Sequence, residues 1–265
     1  METIFIKLGG SLITDKDQPM TPRLSIIREL CQEFKQLVNE HPDTRFILGH
    51  GSGSFGHAVA KKFKTRNGVY NRDDWEGFLK VWWAARSLNQ IMMNELNDAG
   101  ILAMAFPPSA TCVGNTEKSN QCYTDALQCA LQANFVPVVF GDVIFDQKLN
   151  GTIYSTEDIF ILLAEKINPT KILLAGIEES IWEDFPNNQK QIPLITPQNY
   201  PGIKNKIGQS ASVDVTGGMI EKVKTMLDLL ETQPKLKICI FSGQKFGNLT
   251  QVFNELPIGT WIKQE

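Results

Sequence analysis

Four short stretches combine glycine with charged or hydroxyl side chains, and each has the makings of an anion site. The first is Lys7-Leu8-Gly9-Gly10-Ser11. Two consecutive glycines allow a turn tight enough for successive N–H groups to converge on an anion. Lys7 adds a point charge suited to phosphate. The spacing is not that of a Walker A loop, which needs a lysine after the second of two glycines five apart. The second stretch, Gly49-His50-Gly51-Ser52-Gly53-Ser54-Phe55-Gly56-His57, places glycine at 49, 51, 53 and 56. Such a nest before a helix offers N–H donors backed by a helix N-terminus, and His57, where that helix begins, can donate a directional hydrogen bond. The third is Gly141-Asp142. The fourth is Asp214-Val215-Thr216-Gly217-Gly218-Met219 with Lys222 one turn further on. An ordinary strand-to-helix turn or capped helix would explain any one of these alone. Together with Lys16 they supply positive charge and N–H donors for a transferring phosphoryl group.

These stretches need elements to hold them. Near-continuous apolar runs at Thr3–Leu8, Arg45–Leu48, Ile101–Phe106, Val136–Phe140, Lys171–Leu174 and Lys237–Phe241 predict parallel strands buried on both faces. Between them, helices are expected over Pro22–Val38, with Thr21 as cap and Pro22 at the first helical position, and over Ala58–Phe63. Further helices are expected over Asp74–Leu96, Asp125–Gln132, Glu157–Ile167 and Gly218–Leu230. Strand–helix alternation predicts an α/β fold with a central, mostly parallel sheet. In such folds ligands bind beyond the carboxyl ends of the strands, which is where the glycine turns fall. Phe185–Ile203, rich in Pro, Asn and Gln, reads as a surface excursion, and Asn115–Gln121 and Phe145–Ile153 as loops or hairpin arms. No linker interrupts the pattern. One domain is expected over 1–265, with lobes meeting near residue 168.

Composition narrows the classes. At 265 residues the chain can bury a core without staples. With 42% apolar and 21% charged residues it is not a disordered chain. A net charge of −3 gives no reason to expect a nucleic-acid partner. Five cysteines, Cys31, Cys112, Cys122, Cys129 and Cys239, without a Cys-x-x-Cys pair argue against a disulfide framework and a thiolate zinc site. His41, His50 and His57 lack metal-ligand spacing. The start METIFIKLGGS is not a signal peptide, and no apolar run reaches membrane-spanning length. A cytoplasmic protein is expected.

With KLGGS at 7–11, Lys16, GSFGH at 53–57, GD at 141–142 and DVTGGM with Lys222, the sequence resembles the amino-acid kinase fold family nearly from end to end. Within that family it is most similar to the isopentenyl phosphate kinases. KLGGS marks the family at large; GSFGH joined to DVTGGM-x-x-K is the narrower signature. The resemblance implies a three-layer αβα sandwich and ATP-dependent phosphorylation of isopentenyl phosphate. It implies that Lys7, Leu8, Gly9, Gly10 and Ser11 bind ATP phosphates, that Lys16 stabilises the transferring group, and that Gly53 faces ATP. Ser52, His57 and Gly141 would face the acceptor phosphate, and Gly218 and Lys222 would hold the nucleotide. Lys7, Lys16 and His57 would be the catalytic set. Mg²⁺ would arrive with ATP rather than in a protein cage, and a homodimer is implied.

Three departures stand out. Ser52 replaces a usual glycine. Ser155-Thr156-Glu157-Asp158 replaces a Ser-Gly-Asp-Asp-like stretch, so the acid orienting the lysines is Glu157 or Asp158. Glu179-Ser180-Ile181-Trp182 replaces Asp-Gly-Val-Tyr, where adenine and ribose contacts are expected. The chemistry of the acceptor agrees with the resemblance. A phosphate monoester with a second pKa of ~6 already presents an anionic oxygen at neutral pH, so no general base is required. The difficulty is bringing two anions together, which suits His57 and three lysines. Most of the apolar residues in 75–93 are expected in the helix core, with Phe78, Trp82 and Trp83 closing a short apolar pocket for a five-carbon tail. Alternatives are a related kinase of phosphates or phosphonates such as fosfomycin, and a non-catalytic nucleotide-binding module.

Overall fold

The computed structural model describes residues 1–115, 121–207 and 218–265. In chain order the first half contains β1 (Glu2–Leu8), α1 (Gly10–Ile13), α2 (Leu24–Glu40), β2 (Thr44–His50), α3 (Gly53–Phe63), α4 (Arg72–Asp98), β3 (Ala103–Ala105), α5 (Pro108–Thr111), β4 (Cys112–Gly114), β5 (Gln121–Cys122) and α6 (Asp125–Gln132). There follow β6 (Val136–Phe140), β7 (Asp142–Asp146), β8 (Asn150–Tyr154), α7 (Thr156–Ile167), β9 (Lys171–Gly176), β10 (Ile181–Trp182), β11 (Gln191–Ile192) and β12 (Leu194–Ile195). The chain closes with α8 (Tyr200–Ile203), α9 (Gly218–Thr232), β13 (Lys237–Ser242), α10 (Asn248–Phe253) and β14 (Thr260–Ile262).

Eight strands form the central sheet in the order β12-β14-β13-β9-β1-β2-β6-β3. Every neighbouring pair is parallel except β13 with β14. The apolar strand runs explain the layers: successive side chains point to opposite faces. Phe5 of β1 joins a core with Phe160 of α7 and Met226 of α9, whereas Ile4 and Ile6 join another with Leu30 of α2, Leu88 of α4 and Val252 of α10. β9 divides the same way, Ile172 and Leu174 to one face, Leu173 and Ala175 to the other. The fold is the expected αβα sandwich. A second sheet, β5-β4-β7-β8, stands beside it, and β10 pairs with β11.

Several boundaries differ from the sequence expectation for identifiable reasons. Pro22 is bridged to Thr14, so α2 begins at Leu24 rather than at Pro22. α4 begins at Arg72, ahead of Asp74, because Asn71 and Asp74 form a capping box. The third strand contracts from Ile101–Phe106 to Ala103–Ala105. Phe145–Ile153 resolves as part of a hairpin, β7 with β8. The excursion at 185–203 also supplies β12, an edge strand paired to β14. The cysteine expectation is corrected at one place. β4 and β5 run antiparallel with Cys112 opposite Cys122, and the two are joined by a disulfide. Cys31, Cys129 and Cys239 are free.

Candidate active site

The glycine turns meet at the carboxyl ends of the parallel strands. The Gly9 N–H donates to Ala175 O at the end of β9 (2.7 Å), Gly51 N–H to Leu8 O at the end of β1 (3.0 Å), and Gly141 N–H to His50 O at the end of β2 (3.1 Å). The Thr156 hydroxyl donates to the same His50 carbonyl at 2.7 Å. The first two turns touch through backbone: a Cβ added to Gly10 would overlap the Gly53 amide, and one on Gly51 would lie 2.7 Å from Gly10 N. Gly53 has φ +48°, a left-handed conformation that glycine adopts without strain. Thr14, fully buried, locks the junction: its hydroxyl donates to Gly10 O at 2.7 Å and accepts from Ser54 N–H at 2.9 Å. Gly141 completes the group beside Ser52, whose N lies 3.8 Å from where a Cβ would stand.

α3 starts at Gly53, ahead of the expected Ala58, so His57 is its fifth residue rather than the residue at its start. The backbone contact with Gly10 allows the helix to nucleate within the glycine stretch. His57 therefore lies one turn beyond Gly53 on the same helix face, half-buried. Lys16 lies exposed in the loop that Thr14 and Pro22 close, and that loop docks on α3 through a Thr21 N–H bond to Ser54 Oγ (3.4 Å).

Charge concentrates at Glu157. Lys7, at the end of β1, pairs with the Glu157 carboxylate, and Lys222 from α9 approaches the same Oε1 at 3.6 Å. Burial alone would push this carboxyl up, but the two ammonium groups outweigh it and hold the pKa at about 2. Asp158, the other candidate, is engaged elsewhere. Its Oδ2 accepts from the Ser155 N–H and hydroxyl, both at 2.8 Å, and Arg66 stands 3.7 Å away. The capping box of α7 thus consumes Asp158 and turns Glu157 toward the lysines. Gly218 opens α9 at φ +74°; Asp214 to Gly217 lie outside the described residues. Gly218, Lys222, Glu157 and Ser155 line one cleft together with Arg66, a residue that no sequence motif pointed to.

Beyond the turns lies an aromatic cluster. Phe78, buried, packs with Val69, Val81 and Val143 and against half-buried Trp75, Trp82 and Val59, the last of these from α3. Phe78 stands 5.2 Å from the Trp75 ring and 5.5 Å from the Phe145 ring. Trp82 directs its indole N–H to Ser109 Oγ at 3.2 Å. Trp83, expected as a third wall, is 60% exposed and outside the cluster, because one helical residue turns it about 100° from Trp82. Two buried groups support this end. Asp142, 1% exposed, accepts N–H bonds from Ser109 (3.2 Å) and Val143 (2.8 Å), and burial pushes its carboxyl up to about 6. His50, fully buried, stacks on Phe140 and lies 3.1 Å from Asn89 Oδ1 on α4. Burial lowers its imidazole pKa.

The amino acid kinase family model matches residues 2–242. This chain belongs to the amino acid kinase family. It is 32% identical over 250 residues to an isopentenyl phosphate kinase of Methanocaldococcus jannaschii, covering 92% of each chain. With that of Thermoplasma acidophilum it shares 25% identity over 98% of its own length and all of the relative's. An acetylglutamate kinase of Campylobacter jejuni is 22% identical over 98% of this chain and 91% of its own. A crystal structure of isopentenyl phosphate kinase superposes with TM-score 0.81 at 23% identity, over 98% of this chain and 100% of the other, which supports the fold. No described helix is long and apolar enough to cross a membrane.

Proposed function

We propose that this chain transfers the γ-phosphoryl group of ATP to isopentenyl phosphate, releasing ADP and isopentenyl diphosphate. The observation that carries this reading is the backbone contact of Gly10 with Gly53. It supports reading the lysine-bearing turn and the histidine-bearing turn as parts of one site. The extended similarity to isopentenyl phosphate kinases supplies the acceptor.

In this reading an anionic phosphate oxygen of the acceptor attacks the γ-phosphorus in line as the bond to the ADP oxygen breaks. No proton needs to be removed first. The protein's task is positioning and charge neutralisation. The turn at Lys7 to Ser11 and the start of α3 at Gly53 hold ATP phosphates. Lys222 and Gly218 hold the nucleotide. Glu157 holds Lys7 and Lys222 on one carboxylate oxygen. Lys16 neutralises the group in transit. Ser52, Gly141 and His57 receive the acceptor phosphate, with Phe78 and Trp82 beside its tail. Among the described residues no group of three or more His, Cys, Asp or Glu side chains is placed to hold a metal ion. Mg²⁺ would arrive on the ATP phosphates and would neutralise part of their charge, while Lys7 and Lys222 would meet other phosphate oxygens.

The reading takes 1–265 as one domain, with an acceptor lobe to about 168 and a nucleotide lobe after it. It takes the enzyme as a cytoplasmic homodimer. Exposed Leu102 and Met104 at the β3 edge of the sheet, with Trp83 on the neighbouring α4, support association. The test is turnover with ATP, Mg²⁺ and isopentenyl phosphate beside dimethylallyl phosphate and fosfomycin. Formation of the diphosphate with kcat/KM highest for the five-carbon phosphates is expected. Turnover of fosfomycin alone, or of no acceptor, overturns the reading.

A further inference from the structure

Asp142 is nearly inaccessible, carries a carboxylate, and takes no part in the mechanism above. It follows Gly141, whose amide is bonded to the end of β2 next to the Ser52 turn. Its two oxygens are divided. One accepts the N–H of Val143, its own neighbour; the other accepts the N–H of Ser109, 33 residues away in the first turn of α5. Ser109 in turn accepts the indole N–H of Trp82 on α4. A continuous chain of hydrogen bonds therefore runs from the residue beside an acceptor-phosphate turn to an aromatic wall of the tail cluster.

Sterics alone leave Trp82 some freedom. It is only half-buried, its ring meets Trp83 edge-on at 4.9 Å, and the Arg86 guanidinium lies over it at 5.3 Å. Packing on the Phe78 cluster confines the ring, and the bond to Ser109 is the directional contact that sets its plane. A neutral serine with an ordinary main chain would hold the ring but leave α5 free to shift. Anchoring Ser109 to a buried carboxylate removes that freedom, since hydrogen bonds to a charged acceptor are the stronger kind. The carboxylate sits where movement of the Gly141 turn and movement of α5 would have to occur together.

We infer that Asp142 and Ser109 are positioning residues that lock the Trp82 indole as a wall of the acceptor-tail pocket and so restrict the length of tail accepted. This inference rests on the proposed function, because it assigns the aromatic cluster to the acceptor.

The test is steady-state kinetics of wild type, Ser109→Ala, Ser109→Thr and Trp82→Phe with isopentenyl phosphate and with a ten-carbon prenyl monophosphate, ATP KM being measured alongside. Loss of one hydrogen bond worth ~0.5–1.5 kcal/mol corresponds to about 2–10-fold. Ser109→Ala is expected to raise the KM for isopentenyl phosphate by about that factor and to shift the kcat/KM ratio toward the ten-carbon substrate. kcat and the KM for ATP are expected to stay within twofold. Ser109→Thr, which retains the hydroxyl, restores the wild-type ratio. Trp82→Phe deletes the N–H and also shortens the wall, and is expected to shift the ratio toward the ten-carbon substrate at least as far as Ser109→Ala does. A wild type that turns over neither prenyl phosphate overturns the acceptor assignment and this inference with it. An active wild type, with both variants leaving acceptor KM and the chain-length ratio unchanged, overturns the inference alone. So does an equal rise in the KM for ATP.

Discussion

The phosphate end and the tail end of the candidate site are built from different materials. At the phosphate end, main chain does most of the work: Gly9, Gly10, Gly51, Gly53 and Gly141 bring backbone to backbone, and each turn is hydrogen-bonded to the carboxyl end of a neighbouring strand. The sheet sets the geometry, so there is little slack. At the tail end, side chains of α4 meet the β7–β8 hairpin, and position depends on packing plus one chain of polar contacts through Ser109 and Asp142. Damage at the first end is therefore expected to cost turnover. Damage at the second should change which acceptor is preferred, at a smaller cost.

The largest effect is expected at Lys16. Replacing it with alanine should lower kcat by ~10²-fold or more, as for loss of a group that acts mainly on transition-state charge. Binding of both substrates is expected to change far less. Rapid-quench or steady-state kinetics with purified protein checks this, and near-full kcat would break the contrast at its strongest point. Next comes Glu157→Gln, which leaves Lys7 and Lys222 close together without their shared counter-ion. A fall of about 10-fold in kcat/KM for ATP is expected from mispositioned lysines. Because the folded-state pKa of Glu157 is depressed, its contribution to stability is present above the unfolded value of about 4.5 and is lost as pH falls toward about 2. The melting temperatures of wild type and variant should therefore converge below pH 4.

The tail end should answer differently. Asp142 has a raised folded-state pKa, so ionising it at high pH costs stability that is not lost at low pH. The window runs from about 4, the unfolded value, to about 6, the folded one. Asp142→Asn is thus expected to destabilise less at pH 8 than at pH 5, when melting temperatures are compared with wild type at each pH. A larger deficit at pH 8 would mean that the carboxylate is favoured as an anion, contrary to the burial argument. The smallest effect on activity is expected from reducing Cys112–Cys122. Closing a loop of ten residues is worth ~2–3 kcal/mol in the chain-entropy picture. A reductant should lower the melting temperature while leaving kcat within twofold.

The same contrast governs what could be read from the sequence. The strands of the sheet interior were legible, because burial on both faces leaves near-continuous apolar runs. The glycine turns were legible as turns at strand ends, and strand order then brought three of them together. The choice between Glu157 and Asp158 was not: adjacent residues at a helix start are separated only by which of them the cap consumes. Trp82 and Trp83 are adjacent and equally apolar, and only the rotation of α4 distinguishes the ring packed on the Phe78 cluster from the exposed ring. Ser109 and Asp142 stand far apart in sequence, so their bond appears only when α5 is folded onto β7. The pairing of Cys112 with Cys122 and the short edge strand β12 with its neighbour β14 likewise depend on neighbours that local pattern does not encode. Asp214 to Gly217, the other half of the narrow signature, lie outside the described residues.

The proposed two-ended site puts His57 at its acceptor end. It is tested most directly by His57→Ala, using kcat/KM for isopentenyl phosphate together with ATP affinity measured without acceptor. A hydrogen bond to a charged group is worth ~1.5–3 kcal/mol, so a loss of about 10–150-fold in kcat/KM is predicted, with ATP affinity within twofold. His57→Gln, which can still donate, should recover part of the loss. Abolished ATP binding with acceptor affinity intact would reverse the two ends, and no change in either would remove His57 from the site.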